Sequence, residues 1–176
     1  MFIEIEDLRD EPLHVEHVYG PDALVFKRDD AALIEPVAVD FVLTHQGGDL
    51  QVDGTVDTEL RCRCARCASE FRRQLAARFN ISYLPQPAGV KESEEIELKY
   101  EDMDIGFYDG IRLDVDLMVM EQIELSLPMK FVCREECRGL CYRCGKDLNE
   151  GPCSCPQEAG DPRLSVLLEF KKRTDT

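Results

Sequence analysis

Tryptophan is absent from this chain, and histidine occurs only as His14, His17 and His45. Catalytic zinc keeps an open coordination position and commonly draws on histidine and carboxylate ligands beside a general base. Three imidazoles, all far in sequence from the larger group of cysteines, argue against such a site, and His14 and His17 read as surface residues. Aromatic residues make up 7% of the chain, so its core must be mainly aliphatic. No segment approaches the ~20 consecutive apolar residues of a membrane helix. The opening M-F-I-E-I-E-D-L-R-D lacks both the basic start and the apolar centre of a signal peptide. A cytosolic protein without membrane association is expected. Phosphate-loop, dinucleotide and nucleophile-elbow motifs are also missing, so neither catalysis nor a small-molecule substrate is expected.

What the chain has is cysteine, nine of them in 176 residues, with 44% hydrophobic content to supply a core. An odd number in two tight groups, in a reducing compartment, favours metal over a disulfide framework. Cys62, Cys64 and Cys67 form one group; Cys133, Cys137, Cys141, Cys144, Cys153 and Cys155 form the other. The formal net charge is −15, which opposes indiscriminate adhesion to nucleic acid. Basic residues nevertheless collect around the cysteines. Arg61, Arg63, Arg66, Arg72, Arg73 and Arg78 face Glu70 alone within residues 61–78. Lys130, Arg134, Arg138, Arg143 and Lys146 stand against Glu135 and Glu136 within residues 130–146. These side chains either offset thiolate charge or form a binding surface, for which Arg61, Arg63, Arg66, Arg72 and Arg73 are the candidates.

Hydrophobic periodicity indicates an α+β fold: an antiparallel β-sheet meander, a packing helix and a C-terminal cysteine-rich zinc-binding segment. The first ten residues suit a short edge strand, whereas 12–36 are mixed. Val37, Val39, Phe41 and Leu43 alternate as in a strand, and residues 45–49 read as a hairpin connection. A partner strand starts at Leu50, with Gly54 as a possible bulge. A third strand runs from Phe71 to Leu84, so that the first cysteines form a knuckle at a hairpin tip. Residues 85–104 form an acidic loop. Leu113, Leu117, Met120, Glu124 and Leu127 outline a helix face widened by Val119, Ile123 and Leu125, with Asp114 or Asp116 in the first turn and Pro128 as the stop. Met118 and Met120 read as core filler. Asp161-Pro162-Arg163 opens a short second helix through Leu164, Leu167, Leu168 and Lys171. Two parts result: 1–128, with sheet, acidic loop and helix, and 129–176, the zinc segment with its short helix.

Eight of the cysteines form pairs: Cys64 with Cys67, Cys133 with Cys137, Cys141 with Cys144, and Cys153 with Cys155. Structural zinc takes four such ligands tetrahedrally. The local grouping is Cys141 and Cys144 with Cys153 and Cys155, leaving Cys64 and Cys67 to meet Cys133 and Cys137 across the fold. A site from Cys133, Cys137, Cys141 and Cys144 alone is the alternative, so two zinc ions are expected, or one. Iron–sulfur ligation would use the same residues, but the ferredoxin spacings are missing. A redox role for Cys64 and Cys67 lacks its usual α/β setting. Cys62 is left over.

The run C-R-C-A-R-C, an amphipathic stretch ending L-S-L-P-M-K, then C-R-E-E-C-R-G-L-C-Y-R-C-G-K-D-L-N-E-G-P-C-S-C and D-P-R-L, resembles the YceD family over roughly residues 60–170. Asp147 stands where asparagine is expected, and Cys62 is additional; neither disturbs the four pairs. The resemblance implies a noncatalytic role in ribosome biogenesis, supporting accumulation or processing of large-subunit ribosomal RNA. It also implies a link to a basic large-subunit ribosomal protein. The partner is then pre-ribosomal large-subunit RNA, met by the arginines, or that protein, met by an acidic binding or chaperone surface.

Overall fold

The computed structural model describes residues 1–8, 11–86 and 105–156. Its strands are β1 (Phe2–Glu4), β2 (Leu13–Tyr19), β3 (Ala31–Leu33), β4 (Val37–Gln46), β5 (Asp49–Arg63), β6 (Glu70–Pro85), β7 (Ile105–Tyr108) and β8 (Arg112–Asp114). One α-helix, α1, spans Val115–Ser126, and a 3-10 turn covers Ile5–Asp7. The protein is thus mostly β-sheet with one helix among the described residues. The acidic residues 87–104 and the helix expected after Asp161 lie outside them.

The frame is the β5–β6 hairpin, paired without interruption from Leu50↔Tyr83 to Arg63↔Glu70. At ~3.3 Å per residue this ladder is about 45 Å long. Strict alternation produces it. Leu50, Val52, Val56, Leu60 and Cys62 are each at most 1% exposed, while Asp53, Asp57, Arg61 and Arg63 between them face solvent. Each fully buried aliphatic side chain contributes roughly 1.5–3 kcal/mol. β4 pairs with the first part of β5 and β3 with the last, while β2 lies outside β4.

Three expectations need correction. β4, β5 and β6 form the expected antiparallel meander, but β7 joins β6 in parallel, so the sheet is mixed. Gly54 is not a bulge, because the register runs straight through it, Phe41↔Gly54↔Phe79. A Cβ at this position would stand 2.4 Å from Phe41 Cβ and 2.6 Å from the Asp40 carbonyl oxygen, so glycine admits the close approach of its neighbour. The helix presents a different face from the expected one. Val115, Met118, Val119 and Ile123 are buried, whereas Leu117 and Leu125 are 57% and 78% exposed and Leu113 belongs to β8. Seven of the helix's twelve residues are apolar, so its periodicity does not single out one stripe.

Asp114 caps α1, its carboxylate accepting from the N–H groups of Asp116 and Leu117. Leu127, in front of Pro128, is already extended. The helix packs on β5, β6 and β1, and β1 pairs with β8 as a small second sheet. One sheet face is therefore covered. The cysteine hairpin projects from one end, where Phe131 joins the core at 1% exposure two residues before Cys133.

Candidate metal centre

β5 delivers Cys64 and the turn returns through Cys67 to β6. Ala65 N–H donates to the Phe131 carbonyl at 2.8 Å, which lays the segment after the helix alongside the turn. Sγ atoms of Cys64, Cys67, Cys133 and Cys137 consequently lie within 4.8 Å of one another. Cys64 and Cys137 sulfurs are 3.8 Å apart, as are those of Cys67 and Cys133. A disulfide would require ~2.05 Å. Four sulfurs about 2.3 Å from a central zinc form a tetrahedron with edges of about 3.8 Å, so the donor set fits zinc in both chemistry and spacing.

Burial alone would push the Cys64 thiol up, but N–H groups of Cys133, Cys67 and Arg66 aim at its sulfur and bring it down to about 6. Cys133 N–H and Arg66 N–H each lie 3.4 Å from that sulfur. Burial and the neighbouring sulfurs of Cys137, Cys64 and Cys67 push Cys133 up to about 12. Amide donors that favour the Cys64 thiolate suit a cation that displaces thiol protons on binding.

The second cluster gathers Cys141, Cys144, Cys153 and Cys155, again with sulfurs within 4.8 Å. It is more open: Cys141 is buried, Cys153 and Cys155 are half-buried and Cys144 is exposed. Cys141 and Cys153 sulfurs are 3.4 Å apart. Amide donors from Cys144 and Arg143 bring the Cys141 thiol down to about 6. Cys133 and Cys137 thus group with Cys64 and Cys67, not with Cys141 and Cys144. Cys62 faces the sheet core, 1% exposed, and burial raises its thiol.

Residues that spacing did not reveal join the two clusters. Arg66 Nη1 donates to the carbonyls of Glu135 and Cys137 at 2.9 and 3.0 Å, and its own carbonyl accepts from Leu140 N–H at 3.0 Å. Gly139 has φ +74°, and a Cβ there would lie 2.8 Å from the Arg66 carbonyl oxygen. Asn149, from the loop between the two pairs of the second cluster, reaches the first. Its Nδ2 lies 3.5 Å from Cys137 Sγ, and its Oδ1 accepts from Arg138 N–H at 2.9 Å. Asp147 orients it, with Oδ1 accepting from Asn149 N and Nδ2 at 2.8 and 2.6 Å. The D-L-N stretch was the available signal, since short polar residues favour such turns.

The five candidate arginines separate. Arg61 and Arg72 are directly paired across the hairpin and share its outer face with Arg63, while Arg73 is opposite the buried Leu60 on the other face. Arg72 meets Glu59 at 3.1 Å and Glu35 at 3.8 Å, and Arg63 donates to the Asp29 carbonyl at 3.1 Å. Arg66 holds the two carbonyls already described. The guanidinium groups of Arg61 and Arg73 make no hydrogen bond or ion pair among the described residues, although the Arg73 charge acts on the Cys62 thiol. His14 and His17 are exposed, and His14 Nε2 contacts Asp40 at 2.6 Å on the open sheet face beside Glu16.

The sequence profile of the family described as "Large ribosomal RNA subunit accumulation protein YceD" matches residues 52–171, from near the start of β5 through both clusters. The chain belongs to the YceD family. A maize protein named "Large ribosomal RNA subunit accumulation protein YCED homolog 1, chloroplastic" is 26% identical over 144 residues, covering 68% of this chain and 48% of that protein. Its Arabidopsis thaliana counterpart is 24% identical over 160 residues, covering 78% and 49%. An uncharacterized protein of Mycobacterium tuberculosis H37Rv is 30% identical over 143 residues, covering 81% and 64%. This YceD-family chain spans about half the length of the plant relatives. No solved structure matches it. Among the described residues no helix is long and apolar enough to cross a membrane.

Proposed function

We propose that this YceD-family protein is a noncatalytic cytoplasmic factor of ribosome biogenesis that contacts large-subunit ribosomal RNA, or its precursor, through a zinc-organised basic tip. One observation carries the reading. Two basic segments, 61–78 and 130–146, meet at the first cysteine cluster and hold eleven of the chain's 21 lysines and arginines with three of its 36 acids. The two segments thus carry eight more basic than acidic side chains on a molecule of net charge −15. Phosphate is attracted there and repelled elsewhere, which confines contact to one end.

Each cluster would hold one Zn2+ through its four cysteines. Zinc supplies a tetrahedral cross-link, and the chain's own groups do the rest. Arg66 and Asn149 fix the relative position of the two cysteine loops, and the β5–β6 ladder carries them away from the acidic body. Two four-thiolate sites would each leave about two negative charges, which the surrounding arginines exceed. Division at 128/129 follows from this reading, with the zinc segment as a folded attachment to the sheet. The named role of the family in ribosomal RNA accumulation supports the choice of RNA.

The test is binding of labelled large-subunit ribosomal RNA fragments across a salt series. R61E/R73E is expected to weaken binding at least tenfold and to reduce the log–log salt slope by about 2. Unchanged affinity in the double variant would overturn the proposed surface. Binding to a basic ribosomal protein, weakened instead by E92Q/E94Q/E95Q/E97Q, would assign the role to the acidic segment 85–104.

A further inference from the structure

Tyr142 lies between Cys141 and Cys144 and is 81% exposed. Its ring and hydroxyl make no hydrogen bond or ring contact among the described residues. Burying an aromatic body is favourable, so a tyrosine held out on a tight loop leaves a large unused surface. The loop itself is well anchored. Gly145 N–H donates to the Cys141 carbonyl at 2.9 Å, Cys141 N–H donates to the Lys146 carbonyl at 2.8 Å, and Leu140 bridges Asp147. Leu140 N–H then ties the loop to Arg66 in the first cluster's turn. A four-cysteine metal site would fix both ends of the tyrosine's turn, and the ring would be presented with little conformational freedom left to lose on binding.

Its setting selects the ligand. Arg143 follows it directly, Arg138 and Lys146 lie on the same short segment, and Leu140 is 41% exposed beside them. An exposed aromatic face on a segment that also carries Arg138, Arg143 and Lys146, whose Nζ donates to the Pro152 carbonyl at 3.0 Å, matches a nucleobase joined to phosphates. In a duplex the base faces are stacked on one another, whereas in a single strand they are available. Resting on the RNA reading above, we propose that Tyr142 is a stacking platform for an unpaired base, so that the metal-bound loop recognises single-stranded RNA.

The experiment uses the full chain with two zinc ions, confirmed by native mass spectrometry. Fluorescence anisotropy would follow a labelled single-stranded oligoadenylate and an RNA duplex of the same length. The single strand is expected to bind more tightly and to quench tyrosine fluorescence. Y142A should lose about 5- to 100-fold in affinity for the single strand with the salt slope unchanged, while Y142F retains binding. Unchanged metal content in Y142A excludes a folding defect as the cause. Equal binding of single strand and duplex, or full affinity in Y142A, overturns the stacking role while leaving RNA contact intact. Failure of both RNAs and of ribosomal RNA fragments to bind overturns the underlying reading as well. Loss in Y142A of binding to a basic ribosomal protein, with RNA affinity unchanged, gives the loop to a protein partner and also overturns the proposal.

Discussion

The two cysteine clusters use the same four-thiol chemistry, yet they are built from different parts of the chain. The first joins positions separated by 66 and 73 residues, Cys67 with Cys133 and Cys64 with Cys137. The second joins Cys141 and Cys153, 12 apart. Closing the longer loops removes about 1.5 kcal/mol more chain entropy from the unfolded state, by the logarithmic dependence on loop length. Exposure follows the same division: three of the first four sulfur-bearing residues are buried, against one of the second four. The first cluster is placed to lock the tertiary arrangement, and the second to shape a surface loop. Their shared ligand type says little about their shared importance to the fold.

Breaking the first cluster should have the largest effect. With zinc held at the first cluster as proposed, C64S would remove a ligand and forfeit on the order of 10 kcal/mol of metal-binding free energy. Residues 131–140 should then detach from the hairpin tip, seen as loss of amide-exchange protection there and a large fall in Tm. C144S should unfold only the loop at 141–155 and leave amide protection in β4–β6 intact. Equal global unfolding by both variants would erase the distinction.

Chelation separates the clusters kinetically. Under limiting EDTA the exposed second site should lose metal first, so native mass spectrometry should pass through a one-zinc species whose Cys144, and not Cys64, is alkylated. Simultaneous loss of both metals would mean that the connection between them dominates. That connection can be weakened directly. N149A removes the side-chain acceptor of Arg138 N–H and the donor beside Cys137, and should lower the first site's metal affinity about 10- to 100-fold in a Co2+ titration. G139A puts a Cβ against the Arg66 carbonyl at positive φ and should cost about 1–2 kcal/mol, read as a lower urea midpoint.

The smallest expected effect is electrostatic. Arg28 grips Asp30 at 2.8 and 2.9 Å and its guanidinium lies 5.3 Å from the ring centre of Phe131, next to the first cluster. The hydrogen bond from Arg28 holds the Asp30 carboxyl below its ordinary value of 3.8. A depressed carboxylate stabilises above that ordinary value, and its contribution disappears as pH falls through the lower folded value. Because the Asp30 side chain is 38% exposed, D30N should remove less than about 1 kcal/mol at neutral pH, and the difference from the parent protein should vanish in acid.

Legibility differed between elements for physical reasons. β4, β5 and β6 are half-buried, and their alternation is plain in the sequence. β2 was missed because six of its seven residues are exposed or half-exposed, so burial leaves little periodic trace. β7 pairs in parallel with a strand far from it in sequence, which no local signal reports. The stripe of α1 was misplaced because apolar residues extend around more than one side.

The sequence by itself determined the four cysteine pairs, the long alternating hairpin and the concentration of arginine beside the thiols. Short spacings and strand alternation are local properties, set by turn geometry and by the opposite facing of successive side chains. Only the tertiary structure decided which pairs share a centre, that Asn149 reaches from one centre to the other, and which arginines keep a free guanidinium. Those depend on where Phe131 and the end of α1 pack against the hairpin, and packing between distant segments has no period in the chain.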